Sequence, residues 1–258
     1  MHRAAREASE PKTLLKEGIG MKIRVILPTV VDVFVEETIQ EFKHYVPDSV
    51  EVEVCHLDYG PASVEGEYDE ALCVPNMLEK AIEGEKEGCD GIISLCFGDP
   101  GVKPAREVVS IPVVGAGESS MLYASLLARS FSVVTVLPNV VPMIENISKK
   151  LGLHSKLASV RYVNIPVLEL VDKKKMEDAL FEEMIRAIQE DKAHALVLGC
   201  TGMMGVAITL QDKLKEHGYE VPVIDPSFAS AKMLESLISM NIKQSRLTYM
   251  PPTQKLYK

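Results

Sequence analysis

Apolar residues along the chain fall into short, nearly unbroken runs, separated by longer stretches in which they recur every three or four positions. The short runs are rich in Val and Ile. They are Ile23–Leu27, Val50–Cys55, Gly91–Leu95, Val113–Gly115, Ser132–Leu137, Lys156–Tyr162, Ala195–Leu198 and Val223–Ile224. Most are continuous rather than alternating, the mark of parallel strands covered on both faces. The longer stretches predict helices near Val33–Tyr45, Asp69–Gly88, Lys103–Val109, Ser119–Arg129, Asn139–Leu151, Lys174–Asp191, Gly205–His217 and Ser227–Met240. This alternation predicts an α/β fold of parallel sheet layered with helices and joined by right-handed crossovers.

The pattern repeats. "ILP" at Ile26–Pro28 recurs as "VLP" at Val136–Pro138, and "PVVG" at Pro112–Gly115 as "PVID" at Pro222–Asp225, both 110 residues on. Between them, "DGIISLCFGDPG" from Asp90 parallels "AHALVLGCTGMMG" from Ala193, so Cys96 and Cys200 hold equivalent places. Three matches in one order predict two pseudo-symmetric lobes, each a mainly parallel four-stranded sheet flanked by helices. Each lobe then contributes one cysteine after its third strand.

Composition narrows the function. The 258 residues are 47% hydrophobic and 25% charged, with a net charge of −9. That is globular, and an acidic chain without a basic cluster excludes non-specific nucleic-acid binding as a partner class. The uncharged stretch Ala195–Leu210 falls short of the ~20 residues a spanning helix needs, so no membrane partner is expected. Residues 1–20 are polar with mixed charge and lack a signal-peptide core. They read as a disordered or expression-derived extension ahead of a strand opening at Met21. The five cysteines are widely spaced and form no Cys-x-x-Cys pair, which argues for reduced thiols, a cytoplasmic location and no structural metal. The six histidines form no His-x-x-x-His pair, and Gly115-Ala116-Gly117 lacks the rest of a dinucleotide fingerprint.

In an open parallel sheet, ligands bind beyond the carboxyl ends of the strands. Cys96 follows one such strand and leads into Phe97-Gly98-Asp99-Pro100-Gly101; Cys200 follows another and leads into Thr201-Gly202. Either cysteine alone reads as packing, since free cysteine is commonly buried. Both together, in repeat-equivalent glycine-flanked loops, read as function. Two lobes facing across a cleft put a thiol on each side of one substrate carbon. One thiolate removes a proton and the other thiol returns one to the opposite face, inverting the stereocentre. The N-termini of the following helices are expected to lower the thiol pKa values, and N–H groups near Gly98, Asp99, Thr201 and Gly202 to receive the developing oxyanion.

At these motifs the chain resembles the aspartate/glutamate racemase superfamily and, within it, the hydantoin and allantoin racemases. The resemblance rests on "GPASVEGEYDEAL" from Gly60, "GCDGIISLCFGDPGVKPAREV" from Gly88, "IPVVGAGESSM" from Ile111, "ASVRYVNIPVLEL" from Ala158, "ALVLGCTGM" from Ala195 and "PVIDP" from Pro222. It implies cofactor-independent racemisation of 5-monosubstituted hydantoins or of allantoin, with Cys96 and Cys200 as the two bases. It also implies a small-molecule substrate, a homo-oligomer, and a last helix that packs back on the first lobe. Lobe 1 is then expected over 21–117 with 225–250, and lobe 2 over 118–224. Many members carry an Asn-Pro-Asn loop after the first strand; here it is Leu27-Pro28-Thr29, so Pro28 and Thr29 are candidate substrate contacts that differ from that pattern. Cys96-Phe97-Gly98 also departs from the Cys-Asn-Thr of amino-acid racemases, which makes a free amino acid the weaker substrate. Both cysteines are present, which disfavours a one-cysteine arylmalonate decarboxylase.

The remaining candidate substrate contacts are Ser63, Phe97, Gly98, Asp99, Glu118, Thr201 and Gly202. Several have plainer readings. Asp99 shapes the Gly-Asp-Pro-Gly turn, Glu118 caps the helix near Ser119, and Ser63 with Glu65 caps the following segment. Thr201, beside Cys200, reads as a substrate contact. Two other classes fit the pattern: a two-lobed small-ligand receptor, and a redox sensor joining Cys96 to Cys200.

Overall fold

The computed structural model describes residues 20–253; the extension read at 1–20, apart from Gly20, and residues 254–258 lie outside the described residues. Four strands, β1 (Met21–Leu27), β2 (Val50–His56), β3 (Gly91–Ser94) and β4 (Val113–Gly115), form one sheet in the order β2-β1-β3-β4. Four more, β5 (Phe131–Thr135), β6 (Leu157–Tyr162), β7 (Leu196–Leu198) and β8 (Val223–Ile224), form a second in the order β6-β5-β7-β8. Every pairing is parallel. The two sheets therefore share one topology, as the repeat anticipates.

The strand runs are continuous because helices cover both faces. In β1, Ile23, Val25, Ile26 and Leu27 are all buried, as is the whole of β3 and β5. Arg24 is the exception in a central strand. Its guanidinium is neutralised by Glu53 at 2.5 Å and by Glu87, and it donates to the Lys80 carbonyl at 3.0 Å. A buried charge survives only when paired in this way.

The connecting helices are α1 (Val35–Tyr45), α2 (Glu67–Lys86), α3 (Val102–Val108), α4 (Ala116–Leu127), α5 (Val141–Lys150), α6 (Lys173–Gln189), α7 (Ala207–Glu216) and α8 (Pro226–Ser239). Their starts follow local chemistry. Asp172 caps α6 through the Lys175 N–H at 3.1 Å. Asp225 caps α8 through Ser227 and Phe228, with Pro226 in the first turn. Helix α4 begins three residues before the expected Ser119, because Gly115 ends β4 and serves as the helix cap at once.

Two helices cross between the sheets. Helix α4 leaves the first sheet, and its Met121 and Ala124 join the core around β5 and β7. Helix α8 leaves the second, and its Ala231 and Leu234 join the core around β1, β3 and β4. Beyond α8 the chain returns along α3. Gln244 donates to the carbonyls of Val109 (3.0 Å) and Ile111 (2.9 Å), and Arg246 to that of Arg106 (3.0 Å), so the tail caps the end of α3. No helix among the described residues is long and apolar enough to cross a membrane.

Candidate active site

The chain leaves β3 through Leu95 to Cys96, and leaves β7 through Gly199 to Cys200. Both cysteines open a tight turn of the same form. The Cys96 carbonyl accepts from the Asp99 N–H at 3.0 Å, and the Cys200 carbonyl from the Met203 N–H at 3.2 Å. In both turns the residue two places on is glycine, and its N–H faces the sulfur. Gly202 donates to Cys200 Sγ at 3.3 Å, and the Gly98 N–H does the same for Cys96. A Cβ at Gly202 would stand 3.0 Å from Leu170 Cδ1 and 3.5 Å from Cys200 Sγ; at Gly98 it would stand 3.3 Å from Met143 Cε. The glycines thus let each turn close around its thiol.

The two turns meet in one small cavity of about 50 Å³. Sheet one contributes Leu27, Pro28, Thr29, Leu95 and Cys96, with Phe34, Thr38 and Val64 from the segments that follow β1 and β2. Sheet two contributes Cys200, Thr201, Gly202, Met204 and Val167. Of these thirteen residues only the two cysteines titrate. A larger cavity of about 710 Å³ lies elsewhere, between α1, α4, α7 and α8, and contains no cysteine. Leu127, Ile208 and Phe228 are exposed around it. The larger cavity also carries titratable groups, Glu41, His44, Tyr45, Asp225 and Lys232; the smaller is the candidate site because it joins the two repeat-equivalent cysteine turns. Among the described residues, no three His, Cys, Asp or Glu side chains are grouped to hold a metal ion.

The electrostatics run against the sequence expectation. Helix α3 begins six residues after Cys96 and α7 seven after Cys200, and the N–H groups that face the sulfurs belong to the turns, Gly98 and Gly202. Both cysteines are half-buried and line the cavity. Burial raises the Cys200 thiol to about 11; the Gly202 N–H opposes the shift and the Glu65 charge adds to it. Burial raises Cys96 well above an ordinary thiol; the Gly98 N–H opposes it and the charge of Cys200 adds to it. Desolvation displaces both thiols upward, opposite in direction to the lowering expected from helix ends.

The other expected contacts divide. Pro28, Thr29, Thr201 and Gly202 line the cavity with the cysteines, while Gly98 reaches it through the thiol it serves. The Thr201 hydroxyl donates across to the Leu95 carbonyl at 3.3 Å. Phe97 turns away into the core of the second sheet, where it is 2% exposed. Asp99 also turns away: its carboxylate takes the Gly117 and Glu118 N–H groups, each at 2.7 Å, and fastens the first turn of α4. Glu118 accepts from the Gly115 N–H and pairs with Arg106, matching its plainer reading as a cap. Ser63 is half-buried but lies outside the lining, whereas its neighbour Val64 lines the cavity. The sequence reading missed Val64, Phe34, Val167 and Met204, whose apolar side chains carry no chemical signature.

Fold and site together define a class: parallel α/β proteins built of two four-stranded sheets flanked by helices, with one thiol from each sheet lining a shared cavity. The family model "Asp/Glu/Hydantoin racemase" matches residues 23–234. Hydantoin racemase of Pseudomonas sp. (strain NS671) is 38% identical over 239 residues, covering 92% of this chain and 94% of that protein. Hydantoin racemase of Rhizobium meliloti is 41% identical over 197 residues, covering 76% and 80%. The structure of allantoin racemase from Klebsiella pneumoniae superposes with a TM-score of 0.86 at 33% identity, covering 92% of this chain and 96% of that one. The chain belongs to the Asp/Glu/Hydantoin racemase family, and is an isomerase of the racemase type.

Proposed function

We propose that the chain inverts the C5 stereocentre of 5-monosubstituted hydantoins, using Cys96 and Cys200 as paired acid and base and no cofactor. One observation carries this reading: the only titratable side chains lining the cavity are two thiols, one from each of two equivalent turns. In this reading 21–117 with 225–250 and 118–224 act as the two lobes that hold the substrate between them.

The chemistry follows from that pairing. C5–H of a hydantoin is acidified by the adjacent C4 carbonyl, so a thiolate can remove it without an electron sink. The C5–H bond breaks, an S–H bond forms, and the electron pair passes to the C4 oxygen as an enolate. The facing thiol then gives its proton to C5 from the other side and becomes the thiolate. The mechanism needs one thiolate and one thiol, and mutual repulsion supports that state, because charge on Cys200 raises the pKa of Cys96. The Gly98 and Gly202 N–H groups stabilise whichever sulfur is charged. A lining with no Lys or Arg favours a neutral ring over an amino-acid or malonate carboxylate. Phe34, Val64, Val167 and Met204 favour an apolar 5-substituent.

The second reading is allantoin, by the same proton transfers, favoured by the overlap with the Klebsiella structure. The test follows optical rotation of single-enantiomer 5-benzylhydantoin, 5-isobutylhydantoin and allantoin against a protein-free control. Cys96→Ser and Cys200→Ser should each lose at least ~10²-fold of racemisation. Each should still exchange C5–H for solvent deuterium on one enantiomer only, and opposite ones. No turnover of any of the three substrates by folded wild type would reject the assignment.

A further inference from the structure

The segment after β2 (57–66) and the segment after β6 (163–172) are counterparts, because β2 and β6 hold the same place in the two sheets. They meet across the cleft. Glu65 Oε1 accepts the Val167 N–H at 2.8 Å, a bond between residues 102 apart in sequence. Val167 is the first residue of a short 3-10 turn, Val167–Glu169, and so has no partner for its N–H within that turn. Glu65 of one sheet's loop therefore caps a turn of the other's. Its own backbone is held in place by the Asp69 carboxylate, which accepts the Glu65 N–H at 3.0 Å.

The bond sits against the cavity on both sides. Val64 and Val167, next to and within it, both line the cavity. The turn it holds also packs on the second cysteine loop: Leu170 and Val167 are the side chains that a Cβ at Gly202 would meet first, at 3.0 and 3.9 Å, besides Cys200 Sγ itself. Gly202 in turn donates to Cys200 Sγ. Glu65 thus holds a turn whose Val167 and Leu170 flank Gly202, the residue that donates to the thiol.

We infer that Glu65 is a positioning residue: it latches the loop after β2 to the turn after β6, closing the cleft over bound substrate and fixing the Cys200 turn. This rests on the racemase reading for its effect on turnover, but the latch itself can be tested without substrate. The carboxylate acts in two ways. It is a hydrogen-bond acceptor that Gln can replace, and it is a charge that adds to burial in raising the Cys200 thiol, which Gln cannot replace.

The experiment compares Glu65→Ala and Glu65→Gln with wild type in two assays. Thermal melts first establish that both variants are folded. In the first assay, iodoacetamide alkylation of Cys200 is followed by peptide mass at fixed pH. Both variants should react faster, by roughly threefold or more, because the charge is gone, and Ala faster than Gln because the cleft also opens. In the second, steady-state racemisation should show KM raised roughly tenfold in Ala, with a smaller change in kcat, and KM restored to within about threefold of wild type in Gln. Wild-type alkylation and KM in Glu65→Ala would overturn the inference, as would failure of Gln to restore KM. If wild type itself does not racemise, the functional reading has failed and the alkylation rates alone decide the latch.

Discussion

A thiol meant to act as a base near neutral pH is commonly placed where its anion is stabilised by a positive charge or a helix end. Cys96 and Cys200 are placed otherwise. Each has one N–H for company and a desolvating wall around it, and both are displaced upward, Cys200 to about 11. The sign is direct. An acid whose folded pKa lies above its ordinary value is almost wholly protonated at pH 7, and its thiolate fraction grows with pH until that raised pKa is reached. Enzymatic kcat/KM, corrected for spontaneous racemisation, is therefore expected to climb about tenfold per pH unit between roughly pH 7 and 9. A plateau beginning near pH 7 would mean that substrate or cleft motion lowers one thiol, and would remove desolvation as the controlling effect. The positions of both cysteines could be read from the chain, because a glycine-flanked residue at the end of an apolar run is a local pattern. Their pKa direction could not, because desolvation is produced by walls from both sheets, more than 100 residues apart.

At the scale of elements, strand positions were legible to within a few residues; in the central strands burial on both faces demands unbroken apolar runs, whereas the edge strands β2 and β6 are only partly buried. What escaped was the assignment of side chains within the "CFGDPG" turn. Phe97 was expected at the substrate yet packs into the second core, and Asp99, read both as a substrate contact and as a shaper of the turn, fastens α4. The reason is topological. Helix α4 starts directly from β4 beside the Cys96 turn, so close that a Cβ on Gly117 would strike the Phe97 carbonyl. The turn is thereby the anchorage of α4 as well as the seat of a thiol. Asp99 has φ +54°, a conformation that Asn tolerates far better than Ala. Asp99→Ala is expected to lower stability by about 1–2 kcal/mol, through lost capping and backbone strain. Asp99→Asn accommodates the φ but offers one acceptor oxygen to the two N–H donors, so its loss should be smaller than that of Asp99→Ala without vanishing. Urea denaturation of the two variants measures the difference. Equal losses would show that capping and φ do not govern this turn.

For the whole molecule, the relation between the two sheets depends on α4 and α8, each of which begins on one sheet and covers the other. Neither half of the sequence owns its full cover. A chain divided between Arg129 and Ser130 would leave residues 20–129 without α8, and residues 130–253 without α4. Produced singly, the fragments should lack a cooperative melt; mixed, they should recover one, along with the circular dichroism of the intact chain. A cooperative melt in either isolated fragment would show that its sheet can do without the exchanged helix. The exchange thus makes the halves obligate co-folders, joined by reciprocal custody of each other's missing layer as well as by the peptide bond between them.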